Sequence, residues 1–72
     1  MTRPGTVTWL RALAERQPDW DLSEYHDPQE GFIASVEITG GRATASFVAA
    51  GYSDPQYAIT ALARLVKRIR EA

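Results

Sequence analysis

The residues best suited to acid–base or metal chemistry lie around the chain's single histidine, His26. Glu24, Asp27 and Glu30 flank it, and carboxylates beside an imidazole can bind a divalent cation or exchange a proton. The chain has no cysteine and no second histidine, so a zinc site lacks its usual ligands, and no serine stands in a nucleophile motif. We therefore interpret residues 19–30 as a solvated acidic segment, and we expect no enzymatic activity, no metal and no cofactor.

A second group of candidates is the set of cations near the C-terminus. Arg64, Lys67 and Arg68 recur at helical spacing, which places them on one helix face that could bind phosphates, with Arg42 as a further contact. The alternative is a solubilising face whose positive charge suits the end of a helix. The net charge of −1 disfavours a strongly basic nucleic-acid binder, so nucleic-acid binding is the second hypothesis.

The stretch GYSDPQYAIT, residues 51–60, has the features of a helix start. Helix N-termini attract anions because unpaired N–H groups and the positive dipole end point outward. Here Ser53 and Gln56 match a capping box, and Asp54 supplies a negative charge in the first turn. The pattern predicts a helix start that satisfies its own donors and does not bind phosphate.

These residues must be positioned by one small domain, since 72 residues have room for a single core. No apolar run approaches the roughly 20 residues of a membrane span, and residues 1–5 lack the apolar segment of a signal peptide. We expect residues 1–72 to form one cytoplasmic domain, with residues 1–5 as a flexible tail.

Hydrophobic periodicity divides this domain into five elements. It predicts helices over residues 6–17 and 53–71 and strands over 20–25, 32–39 and 42–50, with a turn at 26–31. Each strand has one apolar face, which predicts an α+β fold of order α-β-β-β-α, a three-stranded antiparallel sheet with two helices packed on one face. In the second helix we expect an apolar stripe formed by Ala58, Ala61, Leu62, Leu65 and Ile69.

The order of these elements and four local segments resemble the double-stranded-RNA-binding domain over residues 6–69. Residues 6–17 are similar to its first helix, and residues 21–25 (DLSEY) to its first strand. Gly40-Gly41-Arg42 lies where the family has the hairpin between its second and third strands. Gly51-x-Ser53-x-x-Gln56 resembles the family's entry to its second helix. The resemblance implies the same fold.

The resemblance also implies three RNA-contacting regions, and the chain departs from each. The polar residue of the first helix is matched by about Ala12, and the long loop between the first two strands shrinks to residues 26–31. The lysines that open the second helix are replaced by Asp54, Pro55 and Ala58. An aspartate repels phosphate and proline removes an N–H donor, so we expect duplex-RNA binding to be lost.

Aromatic and apolar residues outside the predicted core are the candidate protein contacts. Tyr52 and Tyr57 flank the helix start, and exposed aromatics are typical interface anchors. Ile33 and Val48 fall on the strand face opposite the helices, where they would add exposed apolar area. The resemblance to the double-stranded-RNA-binding domain supports this interpretation, because domains of that family that lose their RNA contacts commonly dock proteins or dimerise. Our leading hypothesis is a non-catalytic interaction or dimerisation module, such as a small phage or bacterial accessory protein.

Overall fold

A computed structural model describes residues 5–40 and 43–71 of the chain. Its elements are α1 (Thr6–Arg16), β1 (Trp20–Asp27), β2 (Gly31–Gly40), β3 (Ala43–Tyr52) and α2 (Pro55–Glu71). The strands form one antiparallel sheet in the order β1-β2-β3. The predicted α-β-β-β-α architecture is therefore confirmed, while the expected tail at residues 1–5 lies, apart from Gly5, outside the described residues.

The core forms where the two helices meet one face of the sheet. Helix α2 packs across β2 and β3, and α1 packs beside α2 and over β1. Small side chains of the sheet, Ala34 and Ala49, lie under the larger residues of α2, so the helix can approach the strands closely. The buried cluster consists of Leu10, Ala34, Val36, Ala49, Ala58, Ile59, Leu62, Ala63 and Val66.

Helix α2 buries a wider arc than its sequence pattern predicts. Ile59 and Ala63, which the predicted stripe omits, are buried, whereas Ile69 is 46% exposed. The physical reason is that α2 contacts both the sheet and α1, and a helix with two neighbours buries two adjoining stripes. The predicted stripe is therefore correct at Ala58 and Leu62 and wrong at Ile69.

A β-bulge shifts the register of β3 near its C-terminal end. Phe32 pairs with Tyr52, but Ala34 pairs with Ala49, so two residues of β3 lie opposite one residue of β2. One of these two is Gly51, whose φ of 88° is costly for any residue with a Cβ. The extra residue places Tyr52 on the helix face with Phe32, and both pack against the core.

The turn between β1 and β2 is shorter than predicted. His26 and Asp27 belong to β1 and Gly31 begins β2, because the Asp27 carboxylate closes the turn by accepting the backbone N–H groups of Gln29 at 2.8 Å and Glu30 at 3.1 Å. Gly31 has φ of 80°, and a Cβ there would lie 2.7 Å from the backbone oxygen of Tyr52. Position 31 therefore requires glycine, both for its positive φ and because a Cβ would clash with the backbone of Tyr52.

Candidate functional site

Helix α2 begins with Asp54 as its N-cap. The Oδ1 atom of Asp54 accepts the backbone N–H of Gln56 at 2.8 Å, and its carbonyl accepts the N–H groups of Tyr57 and Ala58 at 3.1 and 3.3 Å. The predicted capping box with Ser53 as the cap is therefore wrong. Pro55 explains the difference, since its fixed φ and missing N–H suit the first helical position, which leaves Asp54 as the cap.

The predicted contacts Tyr52 and Tyr57 lie together at an open groove. The groove has a volume of about 420 Å³ and runs between the end of β3 and the first turns of α2. Tyr57 is 64% exposed, while Tyr52 is half-buried against the core. The residues that line the groove are Tyr52, Gln56, Tyr57, Thr60, Ala61 and Arg64. Aromatic rings beside an arginine are the residue types enriched in protein interfaces.

The exposed apolar residues on the open face of the sheet are partly different from those expected. Ile33 lies on this face as predicted, but it is only 7% exposed and therefore does not add exposed apolar area. It occupies the central strand directly opposite Tyr25, and a central-strand side chain is covered by neighbours on both sides. Val48 is 54% exposed, as expected, and Tyr25 is 52% exposed. Strand alternation on Asp21, Ser23 and Tyr25 was the signal that could have identified Tyr25.

Three of the four predicted phosphate contacts share the solvent face of α2. Arg64, Lys67 and Arg68 are all exposed, whereas Arg42 lies outside the described residues. The neighbouring Arg70 is directed elsewhere, because its guanidinium carbon lies 5.7 Å from the ring centroid of Trp20. This cation–π contact connects the last turn of α2 to the start of β1. The geometry therefore leaves a short basic face on the side of α2 opposite the core.

Two of the acidic residues around His26, Glu24 and Asp27, each make a structural contact. Arg11 of α1 donates to both carboxylate oxygens of Glu24 at 3.3 Å, and the His26 ring packs on Phe32 with centroids 4.6 Å apart. Hydrogen bonds from the backbone of Gln29 and Glu30 hold the pKa of Asp27 below its ordinary value. Within residues 5–40 and 43–71, no three histidine, aspartate or glutamate side chains come together to hold a metal ion.

The two edges of the sheet differ in charge. β1 carries Asp21, Glu24 and Asp27 along its eight residues, whereas β3 has the sequence ATASFVAAGY, with no charged residue in ten. Most β3 side chains outside the core are exposed. An edge strand presents unpaired N–H and C=O groups, and charges on it discourage pairing with another strand. β3 is therefore the edge that is open to pairing.

Comparisons with protein-family models, with curated proteins and with solved structures gave no match. Neither helix in the described part of the chain combines the length and the hydropathy that a membrane span requires.

Proposed function

We propose that this chain is a non-catalytic protein-interaction module that docks its partner through β3 and the start of α2. We call this area the β3–α2 surface, formed by strand β3 and the groove between Tyr52 and Tyr57. The observation that carries the proposal is the position of a free, uncharged edge strand that runs directly into an aromatic groove.

The composition of the β3–α2 surface supports protein docking. Interface centres are depleted in charge and enriched in tyrosine and arginine, and the groove combines Tyr52, Tyr57 and Arg64. A free strand edge adds main-chain hydrogen bonds to a partner strand, while pockets beside it bind side chains. Both elements of this recognition mode lie side by side here.

The proposal includes the loss of duplex-RNA contacts in a fold that resembles the double-stranded-RNA-binding domain. The Asp54 carboxylate occupies the helix start and accepts the N–H of Gln56, so this donor is already satisfied and a phosphate would meet a negative charge. We place the protein in the cytoplasm, as an accessory protein of a phage or bacterium.

Site-specific photo-crosslinking tests the proposal. A photoreactive amino acid replaces Tyr57, and a matched control variant carries it at Glu15, an exposed position on α1. We expect discrete protein adducts, with a second copy or with another protein, from position 57 and none from position 15. The proposal is overturned if position 57 yields no protein adduct and the purified chain is also monomeric at high concentration.

A second candidate function is nucleic-acid binding through Arg64, Lys67 and Arg68, which the exposed basic face of α2 favours. Fluorescence anisotropy with short duplex RNA and DNA tests it across a series of salt concentrations. Arg68→Glu should weaken binding and reduce the slope of log K against log salt by about one. The control Arg16→Glu, at the end of α1, should change both the affinity and the slope less. Absence of any binding at low salt excludes this function.

A further inference from the structure

We propose that the occupant of the β3 edge of the β3–α2 surface is a second copy of this chain. β3 of one copy pairs antiparallel with β3 of the other across a twofold axis, which joins two three-stranded sheets into one. This inference rests on the proposed function, because it names the occupant of that surface. It follows from three features of the chain: the charges on the edges, the position of the bulge, and the residue pattern of β3.

The charges on the two edges select the pairing. A twofold pairing of β1 with itself would bring Asp21, Glu24 and Asp27 of both copies together, and like charges across an interface are repulsive. Pairing of β3 with itself brings no charge together, since β3 has none. Pairing of β1 with β3 would leave free edges at both ends and form open-ended chains. Only the β3 pair closes without repulsion.

The bulge sets the length of the paired segment. The register of β3 against β2 is continuous from Ala43 to Ala49 and shifts beyond it. A bulge bends and twists a strand, which makes the residues beyond it poor partners. The regular segment, residues 43–49, is centred on Ser46, so the twofold axis of a pair that uses the whole segment passes through Ser46.

This register makes β3 complementary to itself. With Ser46 opposite Ser46, Phe47 lies opposite Ala45 of the second copy on the helix face, which sets a large side chain against a small one. On the open face Val48 lies opposite Thr44 of the second copy, a pair of β-branched residues. Phe47 is half-buried in the single chain and Val48 is 54% exposed, so both gain burial from the pairing.

The size of the contact predicts its strength. A pair of seven-residue segments covers less than the roughly 1,200 Å² of a standard protein interface. We therefore expect a dimer that dissociates on dilution, with the monomer remaining folded because its core lies within one chain.

Light scattering coupled to size-exclusion chromatography, over a range of protein concentrations, measures the dimer. Val48→Lys places two cations at the edge and should raise the dimer dissociation constant about tenfold or more. Ser23→Lys is the matched control, because Ser23, Ser35 and Val48 form one row across the open face and Ser23 lies at the opposite edge. Equal effects of the two variants would overturn the inference, and circular dichroism verifies that both remain folded.

A cysteine at the twofold axis provides a second measurement. The chain contains no cysteine, so Ser46→Cys introduces one thiol, which faces its own copy only in the proposed pairing. We expect a disulfide-linked dimer on mild oxidation of the Ser46→Cys variant and little from Ser23→Cys. Equal cross-linking of the two would overturn the β3 pairing.

The outcomes also separate this inference from the proposed function. A chain that is monomeric at every concentration, with a photo-adduct at Tyr57 to a different protein, contradicts the second copy and retains the interaction module. A monomeric chain that yields no adduct contradicts both. A dimer that Val48→Lys disrupts supports both.

Discussion

Strands β1 and β3 flank the same central strand, yet they expose their free edges with opposite chemistry. β1 carries three carboxylates and is linked to α1 by the ion pair between Arg11 and Glu24. β3 carries no charge and is covered on its helix face by α2, which buries aliphatic side chains against it. Charge protects an edge from pairing, whereas an uncharged edge is available to a partner. Under the proposed function, this difference assigns partner docking to the β3 side of the domain.

The largest effect on the two sides of the sheet is expected from a substitution at Gly31, where the β1–β2 turn contacts the end of β3. Gly31 begins β2 after the β1 turn, and its missing Cβ makes room for the backbone oxygen of Tyr52 at the end of β3. Gly31→Ala should lower the free energy of unfolding by about 3 kcal/mol or more, because it adds a backbone clash to an unfavourable positive φ. Urea unfolding measures the change.

Gly51→Ala is the matched control for this prediction. Gly51 also has a positive φ, of 88°, but a Cβ there meets nothing within 4 Å. The cost should fall to about 1–2 kcal/mol, the conformational part alone. If both variants lose the same stability, the contact between Gly31 and Tyr52 is not a constraint on the fold.

On the β3 side, the next largest effect is expected at the start of α2. Asp54→Ala removes the acceptor of the Gln56 N–H and should cost about 1 kcal/mol. Ser53→Ala should cost less than about 0.5 kcal/mol, because an exposed side chain outside the cap contributes little. Thermal unfolding of the two variants measures the difference, and a larger loss for Ser53→Ala would show that the helix is capped as the sequence pattern predicted.

On the β1 side, the ion pair should contribute less. Arg11 and Glu24 are 51% and 38% exposed at their side chains, so solvent screens their attraction. A double-mutant cycle of Arg11→Ala and Glu24→Ala should give a coupling energy of about 0.5 kcal/mol or less, which decreases further in high salt. A coupling energy that is independent of salt would contradict a screened surface pair.

The smallest effect should appear only in acid, at the β1 turn. The pKa of Asp27 is lowered by the N–H groups of Gln29 and Glu30. Its carboxylate therefore stabilises the fold above its unfolded-state pKa, and this stabilisation is lost as the pH falls through the lowered folded pKa. Asp27→Asn keeps an acceptor oxygen but no titrating charge, so its stability should decline less than that of the wild type in this range. Denaturant unfolding across the acid range compares the two, and parallel pH profiles would contradict the prediction.

The element order could be predicted from the sequence because it depends on patterns that local chemistry sets. Alternation of Phe32, Ala34, Val36 and Ile38 predicts a strand with one apolar face, and the structure has that strand within β2. The buried side of α2 was only partly predictable. Its core residues Ile59 and Ala63 depend on the position of α1, which lies far away in the sequence.

The candidate site was predicted less well, because exposure depends on cross-strand partners. Tyr57 and Val48 are exposed as expected, but Ile33 is covered and Tyr25 is exposed. The register that sets Tyr25 opposite Ile33 is a long-range property. The helix cap is a local feature for which the sequence carries two conflicting signals. Pro55 indicates that Asp54 precedes the first helical residue, whereas Ser53 and Gln56 match a capping box with Ser53 as the cap.

The bulge in β3 has a consequence for insertions and deletions. Because side chains alternate along a strand, adding or removing one residue moves every following side chain of that strand to the opposite face of the sheet. The extra residue at positions 50–51 delivers Tyr52 to the same side as α2. Deletion of one residue at the bulge would place the Tyr52 side chain on the open face of the sheet, away from α2. The aromatic groove would then have lost one wall without the substitution of any residue that lines it.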